Sequence, residues 1–163
     1  MTAGTTSNLS GNQRRKMRSA ARFFAVQALF QMETTGQTIE NVTAEFANYR
    51  FGERFEDYDM VEADTDMFRR LVTDAVNWQA KIDQMTDRAL VAKWPIARID
   101  PTLRALFRAA GSELLDESTP TPPKVVITEF VGVAEAFFPD AKEPRFVNAV
   151  LDHMAREARP EAF

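Results

Sequence analysis

The sequence predicts an all-α protein, and three observations carry that prediction. Apolar residues recur at helical three- and four-residue spacing along most of the chain. Prolines fall where helices start or stop, at Pro95, Pro101, Pro122, Pro139 and Pro144. No stretch alternates apolar with polar residues around a hairpin turn, and the one β-like triplet, Val125-Val126-Ile127, follows two prolines too closely to build a sheet. Six or seven helices follow, packed as two bundles side by side.

In chain order, residues 1–12 are small and polar and read as a disordered lead-in. Residues 13–92 are expected to form an N-terminal helical subdomain and residues 93–158 a C-terminal one. The first helix, from Arg14, ends near Thr34-Thr35-Gly36. Ile39, Val42, Phe46 and Tyr49 make the stripe of a second helix over 37–50. Residues 53–66 are strongly acidic, without the spacing or turn glycine of a calcium loop, so they read as a connector running into a helix N-terminus. Helical phase from Asp64 to Val91 is long enough to predict a bend or break between Asn77 and Lys81, and Trp94-Pro95 ends it. Asp100-Pro101 and Thr121-Pro122 are cap-then-proline starts. The helix after Thr121 carries Val126, Ile127, Phe130, Val133, Ala134 and Phe137 and is expected to be central. Pro139 stops it, and Pro144 opens a last helix with the stripe Val147, Val150, Leu151, Met154.

A chain of 163 residues, 45% hydrophobic and 27% charged, can bury a proper core. No apolar run approaches a membrane span and the first residues lack a signal-peptide layout, so no membrane association is expected. The absence of cysteine excludes disulfide and thiol chemistry and suits a cytoplasmic location. His153 is the one histidine, so no Cys–His pair or zinc cluster can be built, and the glycines form no phosphate loop. No catalysis, metal or cofactor is expected.

The net charge of −4 conceals an asymmetry: residues 1–32 carry five cations and no acid, leaving −9 on the remainder. The cations are Arg14, Arg15, Lys16, Arg18 and Arg22, followed by the apolar run Phe23-Phe24-Ala25-Val26-Gln27-Ala28-Leu29-Phe30. One helix therefore has a buried C-terminal half and a charged N-terminal half. Winding it places Arg15, Arg18 and Arg22 within about 60° of one another, with Arg14 just outside. Ser19 falls on the same face and Ala20 opposite it. Cations at a helix N-terminus oppose its dipole, so their clustering there points to an anionic ligand. A second candidate contact opens the last helix, where Phe146 sits at the stripe's edge beside Lys142 and Arg145. Such an aromatic packs on the core or stacks on an unpaired base.

Several segments resemble the NusB family of bacterial transcription antitermination factors. Arg22 to Met32 is similar to the family's opening helix. Pro123-Lys124-Val125-Val126-Ile127-Thr128-Glu129 and Pro144-Arg145-Phe146-Val147-Asn148-Ala149-Val150-Leu151-Asp152 resemble its two C-terminal signatures, and Ser112-Glu113-Leu114-Leu115 falls where the family has a glutamate–leucine pair. The resemblance spans about residues 14–155. It implies two packed three-helix subdomains, no catalytic activity, and binding of single-stranded boxA-type leader RNA of ribosomal transcripts. The binding would be joint with NusE, a ribosomal protein of the small subunit, and the pair would join the RNA polymerase antitermination complex. By position Arg18 and Arg22 match the family's arginine-rich helix start, while Ser19 and Ala20 stand where members can have arginine. Thr128 and Ala149 replace the signatures' usual asparagine and glycine. Two further readings stand beside this one: a helical adaptor that binds acidic proteins, and the NusB-like module of a ribosomal RNA cytosine methyltransferase, which would require a cofactor-binding domain beyond Phe163. The sequence leaves homodimerisation open.

Overall fold

The computed structural model describes residues 10–51, 63–90, 98–118 and 121–163. Among them are seven α-helices and no strand: α1 (Gly11–Thr35), α2 (Ile39–Glu45), α3 (Thr65–Asn77), α4 (Gln79–Ala89), α5 (Pro101–Leu115), α6 (Pro123–Phe137) and α7 (Glu143–Ala158). None of these helices is long and apolar enough to cross a membrane.

Helix α1 begins a turn earlier than Arg14 because Ser10 and Gln13 close a capping box: Gln13 N donates to Ser10 Oγ at 3.1 Å, and Ser10 N donates to Gln13 Oε1 at 2.8 Å. Residues 10–12 thus belong to the helix start, while the rest of the expected lead-in lies outside the described residues. At the other end Gly36 takes the left-handed conformation (φ 74°), and its N–H donates to Met32 O at 2.8 Å. Helix α2 runs into a π-helical turn, Phe46–Arg50, closed by Phe51 N donating to Phe46 O at 3.0 Å. The wider turn rotates Tyr49 off the predicted stripe and leaves it 74% exposed.

Most of the acidic connector lies outside the described residues. Its end, Asp64, accepts from Met67 N at 3.0 Å to cap α3, and its own N–H donates to Met17 O at 3.0 Å, tying α3 to α1. Trp78 interrupts α3 and α4 inside the predicted window. Trp94-Pro95 falls outside the described residues, as does the seam expected between residues 92 and 93. Asp100 accepts from Thr102 N at 2.7 Å with Pro101 in the first turn, as its sequence predicts. Thr121 is not the cap of α6: Pro122 occupies that position with an extended backbone, and Pro123 opens the helix.

One buried apolar cluster joins residues from all seven helices. Phe24, Phe46, Phe51 and Phe68 pack ring on ring where α1, α2 and α3 meet. The central helix is α5, not α6: it packs on α1, α3, α4, α6 and α7. Its small residues Ala105, Ala109, Ala110, Gly111 and Ser112 are buried on successive faces and let neighbours approach closely, whereas α6 exposes Lys124, Val125, Thr128 and Gly132. A Cβ built on Gly111 would lie 2.4 Å from Ile82 Cγ2 of α4. Gly111→Ala is therefore expected to destabilise the protein by about 1–3 kcal/mol despite alanine's better helix propensity; a denaturant titration that showed stabilisation would refute this α4–α5 contact.

Charged side chains close the periphery of the same helix. Arg104 and Arg108 of α5 both reach Glu33 at the end of α1, and Arg108 also holds Asp83 of α4 at 2.9 Å. Hydrogen bonding from Arg104 holds the Glu33 carboxyl below its usual range. Past α7, the Arg159 guanidinium donates to the carbonyls of Glu113 and Leu114, each at 2.8 Å, and to that of Thr121, so a cation satisfies the C-terminal end of α5.

Candidate nucleic-acid interface

The first turns of α1 stand outside the core. Arg14, Arg15 and Lys16 are exposed and Arg18 is half-buried, and none of the four forms an ion pair among the described residues. Arg18 borders a recess of about 120 Å³ lined also by Asp64, Arg70, Glu113 and Asp116. From Ala21 to Leu29 the same helix is buried almost all round, so these cations are mounted on a rigid stem.

Arg22 departs from the expectation that placed it on this surface. It is 2% exposed and donates from Nε and Nη2 to the two carboxylate oxygens of Glu113 on α5, both at 2.8 Å. Its Nη1 lies 3.1 Å from Glu129 Oε1 on α6. Burial opposes the Arg22 charge, but the Glu113 hydrogen bonds and the charges of both glutamates outweigh it and hold the pKa above the ordinary guanidinium value. Arg22 is thus a structural cation shared by three helices and is not available to a phosphate. The sequence signal for it was Glu113, the one charge in the stretch Ala109-Ala110-Gly111-Ser112-Glu113-Leu114-Leu115, since a lone acid among buried residues needs a cation.

Ser19 faces α6, where its hydroxyl donates to both oxygens of Glu129 at 3.0 Å. Ala20 packs against the core, on the side the helical winding predicts.

The second group opens α7. Lys142 and Arg145 are exposed, with no ion pair among the described residues. Phe146 is half-buried and meets Phe107 edge-on with ring centroids 6.2 Å apart, so part of the ring serves the core. The two groups sit on different helices, α1 and α7, and α6 packs against both. Helix α6 lies beside α1, with Glu129 at Ser19 and Phe137 stacked on Phe23 at 5.1 Å. Lys142, Arg145 and Phe146 follow the far end of α6, which is about 22 Å long by helical rise.

Reactive chemistry is sparse. No group of three or more histidine, cysteine or acidic side chains suited to a metal occurs among the described residues. A groove of about 760 Å³ is lined by Asp74, Trp78, Lys81, Ser112, Asp116 and Arg159. Burial and the charge of Asp116 push the Asp74 carboxyl up, Ser112 donates to the Ala109 carbonyl at 2.7 Å, and Ser118 donates to Asp116 Oδ1 at 2.6 Å within an exposed turn.

Fold and surface together define an all-α bundle that presents a basic helix start beside an acidic body. The chain belongs to the NusB family, whose sequence profile matches residues 19–156. The transcription antitermination protein NusB of Maricaulis maris is 47% identical over 150 residues, covering 92% of each chain. The protein of the same name from Granulibacter bethesdensis is 43% identical over 157 residues, covering 93% of this chain and 95% of its own. Among solved structures, T. maritima NusB superposes with a TM-score of 0.70 at 28% identity, covering 95% of this chain and 99% of that one. A chain from the crystal structure of antitermination factors NusB and NusE in complex with double-stranded RNA matches with a TM-score of 0.68 at 22% identity, covering 88% and 97%, which is a likeness of fold.

Proposed function

We propose that this chain is a non-catalytic, RNA-binding transcription antitermination factor. It binds boxA-type leader RNA together with NusE and acts in the cytoplasm within the RNA polymerase antitermination complex. The observation that carries this reading is the start of α1: four cations, Arg14, Arg15, Lys16 and Arg18, without ion partners among the described residues, on a chain that is otherwise acidic. A polyanion would be attracted to that one end and repelled elsewhere, which orients it before contact. Relatives named as antitermination proteins and a fold shared with a NusB–NusE–RNA complex support the same assignment.

Four cations neutralise at most about four phosphates, and phosphate contacts alone give salt-sensitive affinity on the order of 10⁻⁴–10⁻⁶ M. Specific binding then needs the surface that NusE adds. In a gel-shift titration with a boxA-containing RNA, the chain alone is expected to bind weakly, and addition of NusE to tighten binding and make it sequence-selective. No shift in either lane would refute the RNA-binding reading. A tight, selective shift without NusE would refute the requirement for a partner.

A further inference from the structure

We infer that the outward face of α6 is the base-reading floor of the RNA site, with Glu129 as its specificity-determining residue; the inference rests on the RNA-binding reading. Helix α6 packs against both helices that carry the cationic groups, with Glu129 at Ser19 just past the first group, so a single strand held by both is expected to pass over it. What it would cross is unlike a phosphate-binding surface. Val125, Glu129 and Gly132 fall at helical i, i+4 and i+7 spacing, on one side of α6. Val125 is 43% exposed, and nothing lies within 4 Å of a Cβ built on Gly132, so the strip offers an apolar patch and open space around one carboxylate.

That carboxylate joins the Arg22 ion pair while staying partly exposed. Glu113 already neutralises Arg22 through two hydrogen bonds, yet Glu129 adds a second negative charge to the same guanidinium. Its side chain remains 29% exposed, and it sits against Ser19, one turn along α1 from the exposed Arg15. Beside its share in the Arg22 charge, an anion on that surface weakens phosphate attraction, so it is unsuited to the backbone. It does suit a donor. A carboxylate has about four lone-pair sites; Ser19 and Arg22 occupy part of them and hold the group in one orientation. The site left free, on Oε2, can accept one N–H from the Watson–Crick edge of an unpaired base, and an exocyclic amino group of guanine, adenine or cytosine is the best complement. Uracil, with a single N3–H between two carbonyls, is a poor one. RNA readers of single strands work in this way: cations fix the backbone, and acceptors and flat surfaces select the base.

The test uses the full chain with NusE, a boxA-containing RNA and an oligouridine of equal length, measured by fluorescence anisotropy. Glu129→Gln keeps the shape and an acceptor for Ser19 but removes the charge. Oligouridine binding is expected to tighten and boxA binding to weaken, so that the preference between them falls about tenfold, within the range set by one good base contact. Gly132→Gln provides a second variant, because it places a side chain over the floor at an exposed helix position where nothing clashes. It is expected to reduce the boxA preference with no loss in melting temperature. A preference unchanged in both variants overturns the inference and leaves the RNA-binding reading intact. Equal weakening of both RNAs by Glu129→Gln, with a lowered melting temperature, assigns Glu129 a purely structural role and also overturns it. If the parent complex binds neither RNA, the RNA-binding reading and the inference fall together.

Discussion

Arg22→Ala is expected to destabilise this protein by about 3–5 kcal/mol, the usual consequence of stranding a buried charge. The stranded group is Glu113, 4% exposed and bonded through both oxygens to the guanidinium that the variant removes. For a chain of this size, the loss corresponds to a fall of about 6–20 °C in melting temperature. Arg22→Lys should recover little, because an ammonium cannot make two parallel hydrogen bonds to Glu113 and still reach Glu129. Arg22→Met combined with Glu113→Leu should recover most of it, because the pair is then replaced by apolar side chains of similar volume. RNA binding separates this role from a phosphate contact. At temperatures where the alanine variant is folded, the slope of log affinity against log salt should match the parent's; a fall of about 0.7 would mean that Arg22 meets a phosphate after all.

The contrast between Arg22 and its neighbours shows where sequence reasoning stops. Winding α1 puts Arg15, Arg18 and Arg22 in one sector, and that angle is sound. What the wheel omits is the height at which other helices close in. Arg15 lies above that level and Arg22 below it, where α5 and α6 meet α1. The partner that neutralises Arg22 is 91 residues away in the chain, beyond the reach of any local pattern. Features governed by neighbouring residues were legible: the Asp100-Pro101 cap, the stop at Gly36, the break at Trp78 and the stripe of α7. Those set by longer-range packing were not. Hydrophobicity pointed to α6 as the central helix, but close approach from five sides requires small residues, which α5 has. Tyr49 left its stripe because the backbone switched from α to π spacing, a change that apolar periodicity alone does not reveal.

The basic helix start should give the opposite result to Arg22. Replacing Arg14, Arg15 and Lys16 together with alanine is expected to remove RNA binding at physiological salt while leaving stability unchanged or slightly raised. All three side chains are exposed, without ion partners among the described residues, so no buried charge is stranded. Each cation opposes the α1 dipole by about 0.3–1 kcal/mol where it stands in the first turns, so its removal relieves the fold. If each neutralises one phosphate of a single strand, the slope of log affinity against log salt should shrink by about 2 for the triple variant, with roughly 0.7 more when Arg18→Ala is added. The measurement is a salt titration of RNA affinity in the presence of NusE, beside thermal melts of the same proteins. A stability gain with a flattened salt dependence would show that these cations are retained for the ligand against the preference of the helix. An unchanged salt slope would place the phosphate contacts elsewhere, with Lys142 and Arg145 the next residues to replace. A triple variant that melted well below the parent would mean that the start of α1 is held by interactions other than the Ser10–Gln13 cap and the Asp64–Met17 hydrogen bond.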